Sequence, residues 1–239
     1  MKRVNSLERL FYGVRRLSSG AICGKIVDSP HPDPSPEIGR GRSGDGVGGR
    51  GGLRGHKYEF DVRRKRMAVR SIVLADNPLL RQKSKKVRRF DKGLEALIED
   101  MVETMHAARG VGLAAPQIGV LSRVIVVELP EDEEDPQSGK LFVLCNPEIV
   151  RAEGEEEGEE GCLSVPGYVG LVKRAAVVTV RGQDRRGRKV RVKARGLLAR
   201  AFQHEIDHLN GILYIDRVES PDKLWRVVPE GEAEGKIPL

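Results

Sequence analysis

The stretch from Leu197 to Leu209 constrains the fold of this chain more than any other, because it predicts a helix with two histidines on its inward face. Leu197 and Ala201 lie on one helical stripe, and the same stripe continues to His204 and His208. Two unpartnered imidazoles facing a core are costly unless they share a ligand or hydrogen bonds. A surface helix with exposed histidines is the alternative, and the apolar neighbours favour the buried arrangement.

The segment His204-Glu205-Ile206-Asp207-His208 has the spacing of a metal-binding helix. Histidines at i and i+4 project from one face a turn apart, and two imidazoles so placed can bind one divalent ion at about 2.0–2.1 Å each. Glu205 points to one side, where it can reach a metal-bound water rather than the ion. A catalytic metal usually has three protein ligands and an open position, so a third ligand is expected from elsewhere.

The three cysteines are odd in number and far apart, which is a poor disulfide framework and indicates a reducing compartment. A lone cysteine is more often a small buried hydrophobe than a ligand, and we interpret Cys145 in this way. Cys162 differs in its setting, because Gly161 before it allows close approach of the backbone and a short apolar run follows it.

Residues 1–66 are not expected to fold as a domain. They contain 12 of the 28 glycines, and residues 29–55 are rich in Gly, Pro, Ser and Arg. Such a composition cannot bury enough apolar surface to offset its ordering entropy. We therefore predict a disordered or processed extension over 1–66, a folded domain over 67–228 and a flexible tail over 229–239.

Residues 1–20 carry apolar side chains at helical spacing, with basic residues between them and Glu8 as their one acidic residue. An organelle transit peptide has this pattern. A short frayed helix without a targeting role is equally open, and so is a start codon assigned too far upstream, since Met67 would be a sensible start. Without a transit peptide, we expect a cytoplasmic protein.

The net charge of +7 resides in the extension. Residues 1–66 contain 15 basic and 7 acidic residues, whereas the remainder contains 27 and 28. A basic composition often indicates nucleic-acid binding, but here the foldable part is nearly neutral. An RNA-binding tail remains an alternative function, although Arg50-Gly51-Gly52 is one isolated repeat without aromatic residues around it. No apolar stretch approaches the roughly 20 residues that span a bilayer, so we predict a soluble protein.

The remaining periodicity predicts a second helix and several strands. Asp91 is expected to cap a helix of about fifteen residues that ends at Arg109-Gly110. Short apolar or alternating runs predict the strands, and Arg185 to Arg188 fits a hairpin turn between the last two. The predicted strands are Val124 to Leu129, Leu141 to Leu144, Ala176 to Val180 and Lys189 to Val192. An acidic loop is expected over Glu131 to Gly139.

The segment Gly110-Val111-Gly112-Leu113-Ala114-Ala115 formally satisfies a dinucleotide-binding fingerprint. That fingerprint requires a strand before it and a helix after it. Here a predicted helix precedes the glycines and a predicted strand follows them, so the context excludes this interpretation.

Three segments together resemble the peptide deformylase family. The segments are Gly110 to Gly119, Glu160-Gly161-Cys162-Leu163-Ser164 and Gln203 to His208. Their order and spacing also match, and the resemblance covers residues 67–228. It implies an α+β fold, with antiparallel or mixed sheets around a central metal-binding helix and a second helix near the N-terminus. It implies hydrolytic removal of the N-formyl group from the formyl-methionine of new polypeptides, with release of formate.

The resemblance also assigns roles to individual residues. It implies one divalent ion held by Cys162, His204 and His208, with water in the fourth position. Fe(II) is the usual ion, and Zn, Ni or Co can replace it, because two imidazoles and a thiolate suit several metals. Glu205 would be the general base, and the Gln117 amide and the Leu163 backbone N–H would hold the oxyanion.

The family binds an extended substrate backbone against the Gly110–Gly112 segment and places the methionine side chain in a pocket. Val111, Leu163 and Ala201 are candidate walls of that pocket, with ordinary core packing as the alternative for each. Two neighbouring features are also expected. Glu160 and Arg174 should form an ion pair that braces the Cys162 segment, and Asp207 should face away from the metal.

The expected partners are N-formyl-methionyl nascent peptides, with transient proximity to the ribosome. We expect no direct nucleic-acid binding, no membrane and a monomer. Residues 220–239 contain prolines, acidic residues and glycines, which do not favour the long basic helix by which some members touch the ribosome. Two rivals remain. A zincin-like peptidase has no use for Cys162, and retention of Glu205 and Gln117 gives no support to a protein of this shape without catalysis.

Overall fold

The structure is a computed structural model, and it describes residues 68–132 and 135–227. The expected extension over 1–66 and the tail over 229–239 lie outside the described residues, as do Met67 and Cys23. The proposed domain limits therefore stay predictions.

Within the described residues the chain forms two α-helices, eight strands and four short 3-10 helices. The helices are α1 (Lys92–Ala107) and α2 (Gly196–Leu209). The strands are β1 (Gly112–Ala114), β2 (Val124–Glu128), β3 (Leu141–Glu153), β4 (Glu156–Cys162), β5 (Val165–Arg174), β6 (Val177–Gln183), β7 (Lys189–Arg195) and β8 (Leu224–Arg226). The 3-10 helices span Pro78–Arg81, Ala115–Ile118, Tyr214–Arg217 and Pro221–Lys223.

The strands form two antiparallel sheets. One has five strands in the order β1-β2-β3-β6-β7, and the other has three in the order β4-β5-β8. This arrangement confirms the expected α+β class and gives antiparallel pairing throughout these sheets.

Helix α1 begins and ends close to the predicted limits. The Asp91 side chain accepts hydrogen bonds from the backbone N–H groups of Gly93 and Leu94, as an N-cap does. At the other end the N–H of Arg109 donates to His106 and the N–H of Gly110 donates to Met105, which is the Schellman pattern. Arg109, with φ of 53°, adopts the left-handed conformation at the position where glycine is usual. The left-handed residue that terminates the helix is therefore Arg109 and not the predicted Gly110.

Several strands differ from the predicted ones. Strand β3 continues to Glu153, well beyond the expected end at Leu144. The β4–β5 hairpin was not predicted, because β4 reads Glu-Glu-Gly-Glu-Glu-Gly-Cys and its glutamates and glycines have low strand propensity. Strand β4 forms because its backbone pairs with β5, and its side chains do not predict this pairing. The hairpin turn between β6 and β7 is confirmed, with Gly187 at φ of 79°.

Helix α2 is the centre of the described fold, since eleven of its fourteen residues are buried. Its Leu198, Phe202 and Ile206 pack with Val127 and Val180 of the larger sheet in one core cluster. A second cluster joins α1 to β1 and β2 and includes Cys145, which is fully buried as expected. Burial raises the pKa of the Cys145 thiol to about 11, so this cysteine is an inert apolar residue near neutral pH. Among the described residues, no helix has the length and apolar character needed to cross a membrane.

Candidate active site

Two histidines of α2 form one side of the site. His204 and His208 are 7% and 1% exposed, and their ring centroids lie 5.0 Å apart. Tyr214 stacks on His204 with centroids 6.0 Å apart. The predicted inward orientation is confirmed, because both imidazoles lie in the interior rather than on a solvated face.

Cys162 brings a thiol to the histidines from the smaller sheet. It is the last residue of β4, and the register of the β4–β5 ladder shifts between Gly161 and Cys162, as at a β-bulge. Its Sγ lies 3.2 Å from Nε2 of His208, and ligand atoms of Cys162, His204 and His208 all lie within 4.8 Å of one another. This set of one thiol and two imidazoles, all buried, fits a divalent transition metal.

Glu160 fixes the orientation of His204. Its Oε2 lies 2.9 Å from Nδ1 of His204, which leaves Nε2 of that ring to face an ion. Burial alone would raise the pKa of Glu160, but hydrogen bonds from Arg174 and His204 outweigh it and hold that pKa well below its usual range. Burial likewise opposes protonation of His204, yet its contacts with Cys162 and Glu160 raise its pKa. Burial and the charges of His204 and Arg174 lower the pKa of His208.

A buried ion network supports Glu160 from behind. Arg174 donates from Nε and Nη2 to the two oxygens of Glu160, at 2.8 and 2.9 Å, and from Nη1 to Asp207. Asp207 also accepts from Arg217. Both expectations for this region are confirmed, since Glu160 pairs with Arg174 and Asp207 turns away from the histidines to pair with arginines.

Replacing Arg174 with Met should lower the free energy of unfolding by about 3 kcal/mol, because it removes a buried guanidinium that donates to both oxygens of Glu160 and to Asp207. Urea unfolding measures this change. The matched control is Arg181→Met, which breaks an exposed ion pair with Glu148. The Arg181 side chain is 61% exposed and the Glu148 side chain is 64% exposed. We expect the control to cost less than about 1 kcal/mol. Equal effects of the two substitutions would contradict the importance of the buried network.

The Glu205 carboxylate is buried beside the ligands without a full set of partners. The residue is 4% exposed, and its Oε2 has no hydrogen-bond partner among the described residues. Burial raises the pKa of Glu205 to about 7. Gly112 faces it from β1, and a Cβ added to Gly112 would collide with Oε1 of Glu205. The absence of a side chain at Gly112 therefore makes room for this carboxylate.

Gln117 presents its amide to the same site. Its Oε1 accepts from the backbone N–H of Ala114 at 2.8 Å, which fixes the direction of the amide group. Its Nε2 lies 3.5 Å from Sγ of Cys162 and 3.2 Å from Oγ of Ser164. The amide N–H therefore points at the thiol that completes the ligand set.

A pocket opens beside Glu205 and contains every residue predicted for substrate contact. Val111, Gly112, Leu163 and Ala201 all line it. Arg200 lines it as well and was not predicted. It lies one helical turn before His204, so its place on the inward stripe was a usable signal. Further lining residues are Gly110, Gln117, Glu159, Glu160, Gly161, Cys162, Leu197, His204 and Glu205.

These features define a class of protein. A helix carries two histidines four residues apart with a glutamate after the first, a cysteine from another element completes the ligand set, and a pocket adjoins the glutamate. This arrangement is that of a metallohydrolase.

Comparison with known proteins identifies the family. Residues 69–224 match the family model for polypeptide deformylase, and the chain belongs to that family. Its members remove the N-formyl group from nascent polypeptides. A peptide deformylase of Thermomicrobium roseum is 53% identical over 169 residues, which cover 70% of this chain and 96% of the relative.

Solved structures agree with this assignment. A peptide deformylase from Legionella pneumophila superposes with a TM-score of 0.60 at 49% identity, covering 65% of this chain and 89% of that one. A class I type b peptide deformylase from Acinetobacter baumannii, solved with Met-Ala-Ser bound, gives a TM-score of 0.60 at 35% identity, covering 64% of this chain and 100% of that one. The resemblance inferred from the three motifs is confirmed, together with the deformylase fold and function.

Proposed function

We propose that Cys162, His204 and His208 hold one divalent ion, Fe(II) in the cell, and that Glu205, Gln117 and Leu163 act on the formyl group of N-formyl-methionyl peptides. The observation that carries this proposal is the convergence of the three ligand atoms within 4.8 Å, next to a buried carboxylate. The ligand set also suits Zn, Ni or Co, and the family resemblance favours Fe(II) among them.

The bound ion would supply Lewis acidity and lower the pKa of a water toward about 7. Glu205 is the general base of the proposal. Its Oε2 is free to accept a proton from the attacking water and to deliver it to the leaving amine. The formyl carbon–nitrogen bond breaks, and formate and a free α-amine leave.

Gln117 and Leu163 are proposed to stabilise the negative charge that develops on the formyl oxygen. The Gln117 amide is held by Ala114 and directed toward Cys162, so it needs no reorganisation. Leu163 follows Cys162 directly in the chain, which places its backbone N–H next to the thiol. One such donor typically contributes about 3 kcal/mol to lowering the barrier.

Gly112→Ala should slow deformylation by about a hundredfold while the metal content stays at the parent level. The added methyl group would clash with Oε1 of Glu205 and displace the carboxylate, and a displacement of about 1 Å in a catalytic group can have this effect. Formate release and metal analysis on one preparation measure both quantities. Gly93→Ala, in the first turn of α1, is the control and should retain parent activity. Parent activity in Gly112→Ala would contradict the proposed position of Glu205.

The substrate is proposed to lie extended along β1 with its first side chain in the pocket. Strand β1 ends the order of the larger sheet, so one of its edges lacks a strand partner among the described residues. A peptide can add to such an edge through backbone hydrogen bonds. Val111 and Ala201 line the pocket beside this edge. The Met-Ala-Ser ligand of the Acinetobacter baumannii relative supports a methionine side chain as the occupant.

The cellular setting proposed is the cytoplasm, with the enzyme acting as a monomer on nascent chains close to the ribosome, without binding nucleic acid directly. The free thiols of Cys145 and Cys162 support a reducing compartment. The segment after Ser220 forms a 3-10 helix and then β8, which pairs with β5. Docking on the ribosome through a long helix that begins in this segment is therefore not proposed.

Substrate selectivity separates this function from internal peptide cleavage. The test compares N-formyl-Met-Ala-Ser, N-acetyl-Met-Ala-Ser and an unblocked peptide of mixed sequence, using metal-loaded protein. We expect rapid release of formate from the first, little reaction with the second and no internal cleavage of the third. Cleavage of internal bonds without formate release would replace the proposal with a zincin-like peptidase.

A further inference from the structure

We propose that Arg200 gives the side-chain pocket a hydrogen-bond donor, so that the enzyme also deformylates peptides whose first residue carries an oxygen acceptor, such as methionine sulfoxide. This inference rests on the proposed function, because it requires that the pocket take the first side chain of the substrate. It makes Arg200 a residue that determines specificity.

Arg200 reaches the pocket from the helix that carries the histidines. It precedes His204 by one helical turn, and both residues line the same pocket. The side chain of Arg200 is 9% exposed, although arginine is almost never buried without partners. The contacts of the guanidinium must therefore account for its burial.

Only some of the N–H groups of the guanidinium have acceptors in the protein. Nη1 donates to Oε1 of Glu160 at 3.0 Å and to the carbonyls of Val172 and Gly158 at 2.8 and 3.3 Å. Nη2 donates once, to the carbonyl of Glu156 at 2.9 Å. A guanidinium has five N–H donors. The Nε–H and one N–H of Nη2 therefore have no acceptor among the described residues. No nitrogen of Arg200 is both buried and without a partner, so these two N–H groups are open to an acceptor supplied by a ligand or by water.

Glycine at position 158 lets the guanidinium lie where it does. A Cβ added to Gly158 would come 2.9 Å from Nη2 and 3.0 Å from Cζ of Arg200. Real Cβ atoms essentially never approach so closely, so a side chain here would displace the arginine. The position of the Arg200 side chain next to the pocket thus depends on the absence of a side chain at Gly158.

Neutralising Glu160 does not explain the presence of Arg200. Arg174 already binds both oxygens of Glu160, and Asp207 is shared by Arg174 and Arg217. The network therefore contains three arginines for two carboxylates. Because Arg174 and Arg217 already pair with both carboxylates, the Nε–H and the second Nη2–H of Arg200 are available to define what the pocket accepts.

The unmet donors favour oxygen over sulfur at the end of the bound side chain. A thioether is a weak acceptor, whereas a sulfoxide oxygen is polar and accepts strongly. Oxidised formyl-methionine is therefore a suitable ligand. The reaction remains amide hydrolysis: water adds to the formyl carbon, the carbon–nitrogen bond breaks, formate and the amine leave, and the sulfoxide is unchanged.

The test measures kcat/KM for N-formyl-Met-Ala-Ser and for both sulfoxide epimers of the same peptide. Metal-loaded full-length parent and Arg200→Leu are compared. We expect one epimer to react with the parent within about tenfold of the unoxidised peptide. In Arg200→Leu the ratio of sulfoxide to thioether activity should fall by about ten- to a hundredfold, the effect of a hydrogen bond to a charged donor, mainly through KM.

A second variant keeps the test decisive if Arg200→Leu does not fold. Gly158→Ala retains the arginine and displaces it, and it should lower the same ratio by at least about threefold. An unchanged ratio in a folded variant would overturn the inference, and so would a parent that leaves both sulfoxide epimers formylated. A parent inactive on the unoxidised peptide would instead overturn the proposed function.

Discussion

Glu205→Ala should release formate about a hundred to ten thousand times more slowly than the parent, the range expected for loss of a general base. The carboxylate is 4% exposed and lies beside the ligand set without being one of its ligands. Because the ligands remain, the variant should bind one metal ion per chain as the parent does. Formate release and metal analysis on the same preparations measure the two properties separately.

Two further variants sharpen this prediction. Glu205→Gln keeps the shape of the side chain but cannot take up a proton, so it should be about as slow as Glu205→Ala. Glu148→Ala removes an exposed carboxylate paired with Arg181 and should leave the rate unchanged. A loss of metal in Glu205→Ala that explained the loss of rate would contradict the assignment of Glu205 as a base.

Cys162→Ser should lose most of its metal and, with it, most of its activity. A serine hydroxyl is not deprotonated near neutral pH, whereas a cysteine beside a metal is bound as the thiolate. Replacing a residue that only supports a ligand already lowers metal affinity by about ten- to a hundredfold, so replacing the ligand itself should lower it at least as much. Dialysis against a chelator of known affinity followed by metal analysis measures the loss.

Cys145→Ser is the matched control for this substitution. It makes the same chemical change at another buried cysteine, which lies in the cluster between α1 and the larger sheet. We expect it to retain one metal ion per chain and parent activity, with some loss of stability from the buried hydroxyl. An intact metal content in Cys162→Ser would favour a zincin-like site that takes its third ligand from another residue.

The two helices were predictable because their periodicity agrees with their environment. Helix α2 carries its apolar stripe from Leu198 to Leu209, and α1 has an aspartate cap and four buried apolar residues at helical spacing. The histidines at i and i+4 were recognisable for the same reason. In these segments the local sequence pattern and the tertiary packing both favour a helix.

The smaller sheet shows where local pattern fails. Strand β4 is rich in glutamate and glycine, and it forms because its backbone pairs with β5. Its end places Cys162 against His208, a contact that joins residues 46 positions apart. Periodicity carries no information about such a contact, so the third ligand was expected from family resemblance alone.

Arg200 was missed for a different physical reason. A charged residue on an amphipathic helix is ordinarily expected in solvent. Its burial depends on carbonyls of β4 and β5 and on the missing side chain of Gly158. None of these partners is close to Arg200 in the sequence, so its place on the helix could indicate proximity to the site but not the contacts that hold a guanidinium there.

Titrating the metal-free full-length chain with Fe(II) under anaerobic conditions, with formate release from N-formyl-Met-Ala-Ser as the readout, tests the central claim most directly. A single ion held by Cys162, His204 and His208 predicts that the rate rises in proportion to bound iron and stops rising at one ion per chain. Formate release independent of iron, or none at one bound ion per chain, would contradict it.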